Sequence, residues 1–230
     1  MIAYKNIEQR SPQWHALRRG VLTASEFNEV VTPTGKLADS EKSRRFIRGL
    51  VLDCIDVGDP HKEADEKKLE YNFAINWGNE HEGAARRWFA ENVMPVSEVG
   101  FVKWGEHIPI GCSPDGVIPS GDEIGKWHAG LEIKCPSLSA HVSYLDAGTL
   151  PDEYKLQVHG SMAVTGLDRW YFLSYYPRPK FRNFLIEVKR DGFTERVEQS
   201  LTEFVEVYRS EFRRISDLIL VATEGSEVAA

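Results

Sequence analysis

The chain has 230 residues, of which 42% are hydrophobic and 27% are charged, as in an ordinary folded protein. No stretch approaches the ~20 apolar residues of a membrane-spanning helix, and residues 1–5 do not resemble a secretory signal. We therefore expect a cytoplasmic protein without membrane contact, built as a single domain over residues 1–230 with a frayed tail at residues 223–230.

The formal net charge of −7 opposes DNA binding mildly, because affinity for nucleic acid depends largely on neutralising phosphates. Exposed charges are screened over about 8 Å at physiological salt. An acidic protein can therefore still hold DNA in a groove that its basic residues line. The charge predicts a small, confined nucleic-acid footprint.

The cysteines and histidines do not have the spacing of a zinc or iron–sulfur site. The sequence contains three cysteines and seven histidines but no C-x₂-C or H-x₃-H pair. An odd, sparse set of cysteines also does not suggest a disulfide framework. We interpret Cys112 and Cys135 as small apolar residues of strands.

Residues 11–30 predict two short helices. The pair Ser11-Pro12 is a favourable helix start, since proline is common at the first helical position. Thr23 and Glu26 have the spacing of a capping box for the second helix.

A helix start of this kind can bind a phosphate, because its first N–H groups are free and carry partial positive charge. Arg18 or Arg19 could reach the same anion. The alternatives are that each arginine lies on a solvated helix face and that the capping box is only a cap.

Apolar spacing predicts the remaining elements of the fold. Helices are expected at residues 39–57, 71–93, 137–148 and 152–165 and from residue 194 onwards, and strands at residues 96–104, 108–113, 131–135, 169–176 and 184–188. On the helix at residues 152–165, Gln157 lies on a face of small residues that suits close approach by another backbone or a ligand.

Glu82 lies on an apolar face of the helix expected at residues 71–93, four residues after Gly78 and three before Ala85. An unpaired charge is costly to bury, so Glu82 requires a partner. The partner is either an arginine, in a structural ion pair, or a metal ion shared with other carboxylates.

The stretch S-P-D-G followed by L-E-I-K carries the strongest candidate chemistry. Alternate residues of a strand share a face, so Glu132 and Lys134 point the same way. A hairpin through residues 120–127 would bring Asp115 beside Glu132. Carboxylates are ligands that Mg²⁺ and Mn²⁺ prefer, and Lys134 could orient or deprotonate water or hold charge on a phosphate. The alternative is an exposed strand face with a weak Glu–Lys salt bridge.

Several motifs follow one another along the chain: W-H-A-L-R-R-G-V-L-T-A-S-E, W-G-N-E-H-E, S-P-D-G, L-E-I-K-C-P and Q-V-H-G-S-M. Their order resembles the lambda exonuclease type of phage recombination nuclease, the viral recombinase family of the PD-(D/E)xK superfamily. The resemblance implies an α/β (α+β) fold with a restriction-endonuclease-like core, in which a central mixed β-sheet is flanked by helices. It also implies a Mg²⁺-dependent 5′-to-3′ exonuclease that degrades one strand of duplex DNA processively and leaves a 3′ overhang.

By motif position, the resemblance assigns Asp115 and Glu132 to the Mg²⁺ site, where Mn²⁺ would substitute and the carbonyl of Ile133 could be a further ligand. Lys134 would serve the attacking water. Glu82 would lie beside the metal.

The same resemblance assigns Arg18, Ser25 and Gln157 to a pocket for the 5′-phosphate, with Trp14 next to it. We expect Trp14 and Lys36 to contact DNA, although the chain departs from the family pattern in the loop that carries Lys36. Family members form a ring-shaped trimer around DNA and cooperate with a single-strand annealing protein. The implied setting is the cytoplasm of a bacterial host that carries a phage or prophage.

Two other functions remain open from the residues alone. A structure-selective or restriction-like endonuclease would use Asp115, Glu132 and Lys134 but would not need Arg18 at a 5′ end. A non-catalytic DNA-end binding module would keep the fold and the arginines without depending on a metal.

Overall fold

The computed structural model describes residues 1–55, 73–121 and 125–219, with the side chains of residues 73–75 left aside. Its strands form two four-stranded sheets. In spatial order, the first sheet contains β1 (Ile2–Tyr4), β3 (Phe101–Lys103), β4 (Ile110–Cys112) and β2 (Leu22–Thr23), and the second contains β5 (Gly116–Pro119), β6 (Trp127–Lys134), β7 (Arg169–Ser174) and β8 (Phe184–Lys189).

Helices flank both sheets. In chain order they are α1 (Pro12–Arg18), a 3₁₀ helix (Ala24–Glu29), α2 (Glu41–Ile55), α3 (Phe73–Asn92), α4 (Leu138–Ala147), α5 (Asp152–Thr165) and α6 (Gly192–Ile219). Among the described residues, none of these helices is both long and apolar enough to cross a membrane.

Each sheet combines parallel and antiparallel pairs. Strands β2 and β4 are parallel in the first sheet, and β6 and β7 are parallel in the second, whereas the other pairs are antiparallel. The expected α/β class with mixed pairing and flanking helices is confirmed. Strand β4 belongs to the first sheet, and β5, which follows it after residues 113–115, belongs to the second.

The long strand β6 is covered on both faces. Leu131 and Ile133 are buried on one face against Ala85 and Phe89 of α3. On the other face Glu132, only 2% exposed, is buried and contacts α5. The site chemistry is therefore placed inside the fold, at the carboxyl end of a central strand.

The 3₁₀ helix and α5 approach each other closely. A Cβ on Gly160 of α5 would lie 2.1 Å from Cδ2 of Phe27, which real side chains do not allow. The aromatic ring therefore packs directly on the backbone of α5. The small-residue face that the sequence predicts on this helix serves this contact.

The second short helix that the sequence predicts is present as a 3₁₀ helix over residues 24–29, and the N–H of Thr23 donates to Oε2 of Glu26 at 3.2 Å, as in a capping box. The apolar spacing of residues 137–148 also predicts that Val142 points inward. That prediction is wrong, because Val142 is 45% exposed, whereas His141 and Tyr144 of α4 are buried.

Some predictions reach beyond the described residues. The helix expected at residues 39–57 ends there at Ile55, and the one expected at residues 71–93 begins at Phe73. The frayed tail at residues 223–230 lies outside the described part of the chain. The boundaries of the single domain remain a prediction.

Candidate active site

The β5–β6 hairpin brings Asp115 against strand β6, as the sequence predicts. Gly116 pairs with Leu131, and the N–H of Asp115 donates to the carbonyl of Leu131 at 3.1 Å. The N–H of Ile133 in turn donates to Oδ2 of Asp115 at 2.6 Å. These bonds hold the carboxylate beside the strand segment that carries Glu132.

Glu132 and Lys134 form a buried pair on one face of β6. Nζ of Lys134 lies 2.7 Å from Oε1 of Glu132, and Nε2 of Gln157 donates to the same oxygen at 2.6 Å. The ammonium also lies 5.0 Å from the ring centre of Tyr154. The pair of Glu132 and Lys134 is therefore not the weak, exposed salt bridge that the sequence allowed as an alternative.

The pKa values of Asp115 and Glu132 are both raised. Burial raises the pKa of Asp115, and the charges of Glu132 and Glu82 raise it further. Burial also raises the pKa of Glu132, although Lys134 acts in the opposite direction. Carboxylates that repel one another in this way favour the binding of an additional cation.

Lys134 is held as an ammonium. Burial lowers its pKa, but the nearby charges of Glu132 and Asp115 raise it more, so the pKa lies above the usual lysine value. In this state the group stabilises negative charge and orients water by donating hydrogen bonds.

Glu82 contacts two arginines. Its carboxylate lies 2.5 Å from Nη2 of Arg10 and 2.5 Å from Nη2 of Arg86. Arg86 also donates to the carbonyl of Asp115 at 2.6 Å and pairs with Glu98. The arginine partner that the sequence left open is thus present, and it ties α3 to the turn that carries Asp115.

A cleft of about 350 Å³ opens between α3 and the end of β6. Its lining comes from several elements and includes Arg10, Gly78, Asn79, Glu82, Asp115, Ile133, Lys134, Cys135, Pro136 and Tyr154. Glu132 is buried and is not part of the wall. Asp115 and Lys134 thus line the cleft, and Glu132 lies just behind its wall.

The oxygen atoms at the end of β6 suit a divalent cation. Asp115, Glu132 and the backbone of Ile133 offer hard oxygen atoms, which suit Mg²⁺ or Mn²⁺ better than softer metals. Within the described ranges, no three His, Cys, Asp or Glu side chains form a ready metal cluster. The carboxylates with raised pKa values nevertheless fit a hard divalent cation, because its charge would offset their repulsion.

Arg18 is mostly buried and does not lie on a solvated helix face. Its guanidinium lies 4.1 Å from the ring centre of Trp14 and donates to the hydroxyls of Ser113 at 3.2 Å and Thr23 at 3.1 Å. The hydroxyl of Thr23 lies 3.3 Å from that of Ser25. Arg18 and Ser25 thus both contact the hydroxyl of Thr23. Burial lowers the pKa of Arg18 from its usual value.

Gln157 lies on the catalytic side of this region. Its Nε2 donates to Glu132. Burial raises the pKa of the nearby Cys112 thiol, the charge of Glu132 raises it further and that of Arg18 lowers it. Whether Gln157 also binds a phosphate remains a prediction. The contact places Gln157 beside the carboxylate that is the expected metal ligand.

The ring of Trp14 packs against the guanidinium of Arg18 and is itself held by hydrogen bonds. Its Nε1 donates to the carbonyl of Gly100 and to the hydroxyl of Ser113, both at 3.0 Å. Lys36 is exposed on a separate turn and does not line the cleft. Contact of Trp14 or Lys36 with DNA stays a prediction.

Sequence reasoning missed three residues of the cleft region. Arg10 has a φ of 69°, which is unusual for a residue other than glycine, and no sequence pattern marks it. Tyr154 lies near Lys134 in space but not in sequence, so no local pattern connects the two residues. Helical spacing predicts that Arg86 lies on the outer side of its helix, and this prediction is wrong, because the side chain turns inward to Glu82 and the carbonyl of Asp115.

Residues 13–168 match the YqaJ-like viral recombinase domain. The match spans more than half of the chain. The chain belongs to the YqaJ-like viral recombinase family. The resemblance to phage recombination nucleases that its motifs show is thereby confirmed.

Solved structures share the fold of this viral recombinase domain. Two crystal structures of an alkaline exonuclease from Laribacter hongkongensis, one in complex with dAMP, have TM-scores of 0.72 and 0.71 at 24% identity, and each match covers 90% of this chain and 97% of that chain. A phage related exonuclease from Haemophilus somnus 129PT has a TM-score of 0.57 at 14% identity, over 86% of this chain and 96% of that one. No curated protein sequence matches the chain.

Proposed function

We propose that this viral recombinase domain is a metal-dependent exonuclease that degrades one strand of double-stranded DNA from its 5′ end. The observation that carries the proposal is the meeting of Asp115, Glu132 and Lys134 at one end of an open cleft. One buried and one partly buried carboxylate beside an ammonium suit phosphodiester hydrolysis better than a structural role, since buried charges are often destabilising. The solved exonucleases with the same fold support this assignment.

Each residue has a distinct part in the proposed reaction. Asp115 and Glu132 would hold Mg²⁺, or Mn²⁺ in its place, together with the carbonyl of Ile133. When bound, the metal would lower the pKa of a water and neutralise phosphate charge. Lys134 donates hydrogen bonds to the water or to the phosphate oxygens, and Gln157 fixes the orientation of Glu132.

The surroundings of Arg18 support attack from a 5′ end. Arg18 is held by Trp14, Ser113 and Thr23, so its guanidinium is already oriented before any ligand binds. A terminal phosphate carries more charge than an internal diester and accepts more hydrogen bonds from an arginine. Ser25 and Gln157 would complete this pocket.

The wider setting is also part of the proposal. The product would be a 3′ single-stranded overhang that serves recombination by strand annealing, with an annealing protein as partner. A ring-shaped homotrimer would keep the enzyme on its substrate between cuts. We place this activity in the cytoplasm of a bacterial host of phage or prophage DNA.

Time courses on different DNA substrates test the proposed function. Linear duplex with 5′-phosphate or 5′-hydroxyl ends, nicked circles and closed circles would be incubated with Mg²⁺, Mn²⁺ or EDTA. We expect digestion of linear DNA only with a metal, faster from the 5′-phosphate, and none of closed circles. Cutting of closed circles would support an endonuclease, and binding without any digestion would support a non-catalytic DNA-end module.

Changing Glu82 to glutamine should raise the Mg²⁺ concentration for half-maximal cleavage by about tenfold or more, the usual effect of groups next to metal ligands. The melting temperature should change little, because Arg86 keeps its bonds to the Asp115 carbonyl and to Glu98 while Arg10 is half exposed. Metal titrations and thermal melts give both quantities.

Glu98→Gln is the matched control for Glu82, since Glu98 also pairs with Arg86 but its side chain is 75% exposed and lies outside the cleft lining. That variant should leave the Mg²⁺ response unchanged. A large fall in the melting temperature of Glu82→Gln with an unchanged metal response would show that Glu82 is only half of a structural ion pair.

A further inference from the structure

A basic and aromatic loop lies next to the catalytic strand. Residues 175–183 connect β7 to β8 with the sequence Y-Y-P-R-P-K-F-R-N, which contains no acidic residue. The N–H of Tyr175 donates to the carbonyl of Lys134 at 2.8 Å. Because β6 and β7 are parallel, the loop leaves the sheet at the same edge as the active site.

The loop is held in place from below. The ring of His141 is hydrogen-bonded to the hydroxyl of Ser174 at 2.7 Å and to the carbonyl of Arg182 at 2.9 Å. The rings of Tyr176 and Phe181 are stacked with their centres 5.5 Å apart. Two prolines in the loop further reduce its conformational freedom.

The exposed residues of the loop include one aromatic ring and three cations. Phe181 is 44% exposed although it is stacked on Tyr176. Arg178, Lys180 and Arg182 are all exposed, and within the described part of the chain none of their side chains forms an ion pair. Many other arginines of this acidic protein are paired with carboxylates, for example Arg44, Arg169, Arg190 and Arg214.

The loop also continues toward the cleft. The ring of Tyr176 lies 6.4 Å from that of Trp77 in α3. The next residue of α3, Gly78, lines the cleft. A strand that leaves or enters the cleft on this side would pass the exposed face of Phe181.

We propose that residues 175–183 form a binding site for single-stranded DNA, in which Phe181 stacks on a base and the three cations bind the neighbouring phosphates. The inference rests on the proposed nuclease function for its biological meaning, but the binding itself does not require cleavage. A duplex keeps its bases stacked inside, so an exposed ring of this kind recognises an unpaired base. The natural occupant is the strand that remains after digestion.

Fluorescence anisotropy with a labelled oligothymidylate, in EDTA to prevent cleavage, tests the site. Stacking of one base corresponds to a loss on the order of 5- to 100-fold in affinity when the aromatic ring is removed. We expect Phe181→Ala to show a loss in this range and Phe181→Trp to bind as well as wild type. The same variants should bind an abasic strand of equal length alike.

The cations predict a second effect. Removing one phosphate contact lowers the salt dependence of single-strand binding by about 0.7 in the slope of log K against log salt, so Arg178→Ala and Lys180→Ala should each do so. Arg213→Ala, which removes an exposed cation from α6, is the matched control and should leave the slope unchanged. Thermal melts check that each variant is folded.

Wild-type affinity of Phe181→Ala for oligothymidylate would overturn the proposal, as would an equal loss of affinity for the abasic strand. Displacement of the oligonucleotide by polyglutamate as effectively as by unlabelled oligothymidylate would indicate a site for an acidic protein and would also overturn it. Because every measurement is made without metal, failure here would leave the proposed nuclease function, which is tested by cleavage of linear and circular DNA, unaffected.

Discussion

Replacing Lys134 with alanine should slow DNA cleavage by about a hundredfold or more, the typical loss when one charge-stabilising donor is removed. Its ammonium is 2.7 Å from Oε1 of Glu132 and lines the cleft, so it is placed to act on water or on phosphate. DNA binding and folding should be nearly intact, because Glu132 keeps its bond from Gln157. Single-turnover cleavage of 5′-phosphorylated duplex measures the rate.

Two variants sharpen this test of Lys134. Lys134→Arg keeps a positive charge and should retain more activity than Lys134→Ala. Lys189→Ala removes an exposed lysine from β8 and should cleave at the wild-type rate. If Lys134→Ala also cleaved at that rate, the assignment of the active site would be wrong.

Replacing Arg18 with alanine should slow digestion of 5′-phosphorylated duplex by roughly tenfold to a hundredfold, the value of a hydrogen bond to a charged group. It should also erase the preference over 5′-hydroxyl ends. The physical reason is that the guanidinium is oriented by Trp14, Ser113 and Thr23, whose hydroxyl is within 3.3 Å of Ser25. Initial rates on the two substrates give both effects.

The neighbouring Arg19 is the matched control for Arg18, because it is exposed and one residue away. Arg19→Ala should keep the full preference for a 5′-phosphate. The metal requirement should not change in either variant. A full preference that persists in Arg18→Ala would place the phosphate pocket elsewhere and make Arg19 the next residue to examine.

The chemistry of the hairpin could be predicted because it is local in sequence. Alternation along β6 fixes which residues share a face, and the turn at Asp115 needs only a short connection to return beside Glu132. The spacing also indicates that Lys134 joins them. Short-range patterns of this kind determine geometry before tertiary packing is known.

Other contacts depend on tertiary packing and leave no local pattern. Arg10 reaches Glu82 across 72 residues of sequence, from a loop without periodicity. Arg86 has the helical position of a solvated residue, yet its long side chain turns toward the Asp115 carbonyl. Helical spacing places Gln157 on the correct face of α5 but cannot select its partner, which is Glu132.

The number of sheets could not be predicted from the sequence. The turn at Pro114 separates two strands, but nothing in the apolar pattern indicates that they belong to different sheets. The 3₁₀ helix that carries Ser25 is another case. The capping box indicates where a helix begins but not which type of helix follows.

The contact of Phe27 with the bare backbone at Gly160 has a consequence for how tightly a DNA end can be bound. Ser25 precedes the aromatic ring by two residues and Gln157 precedes the glycine by three, so the two expected phosphate ligands sit on elements that the core clamps together. Their spacing is established when the chain folds. Little rotational freedom of these elements then has to be lost on encounter with DNA, which favours tight capture by a pocket made of few groups.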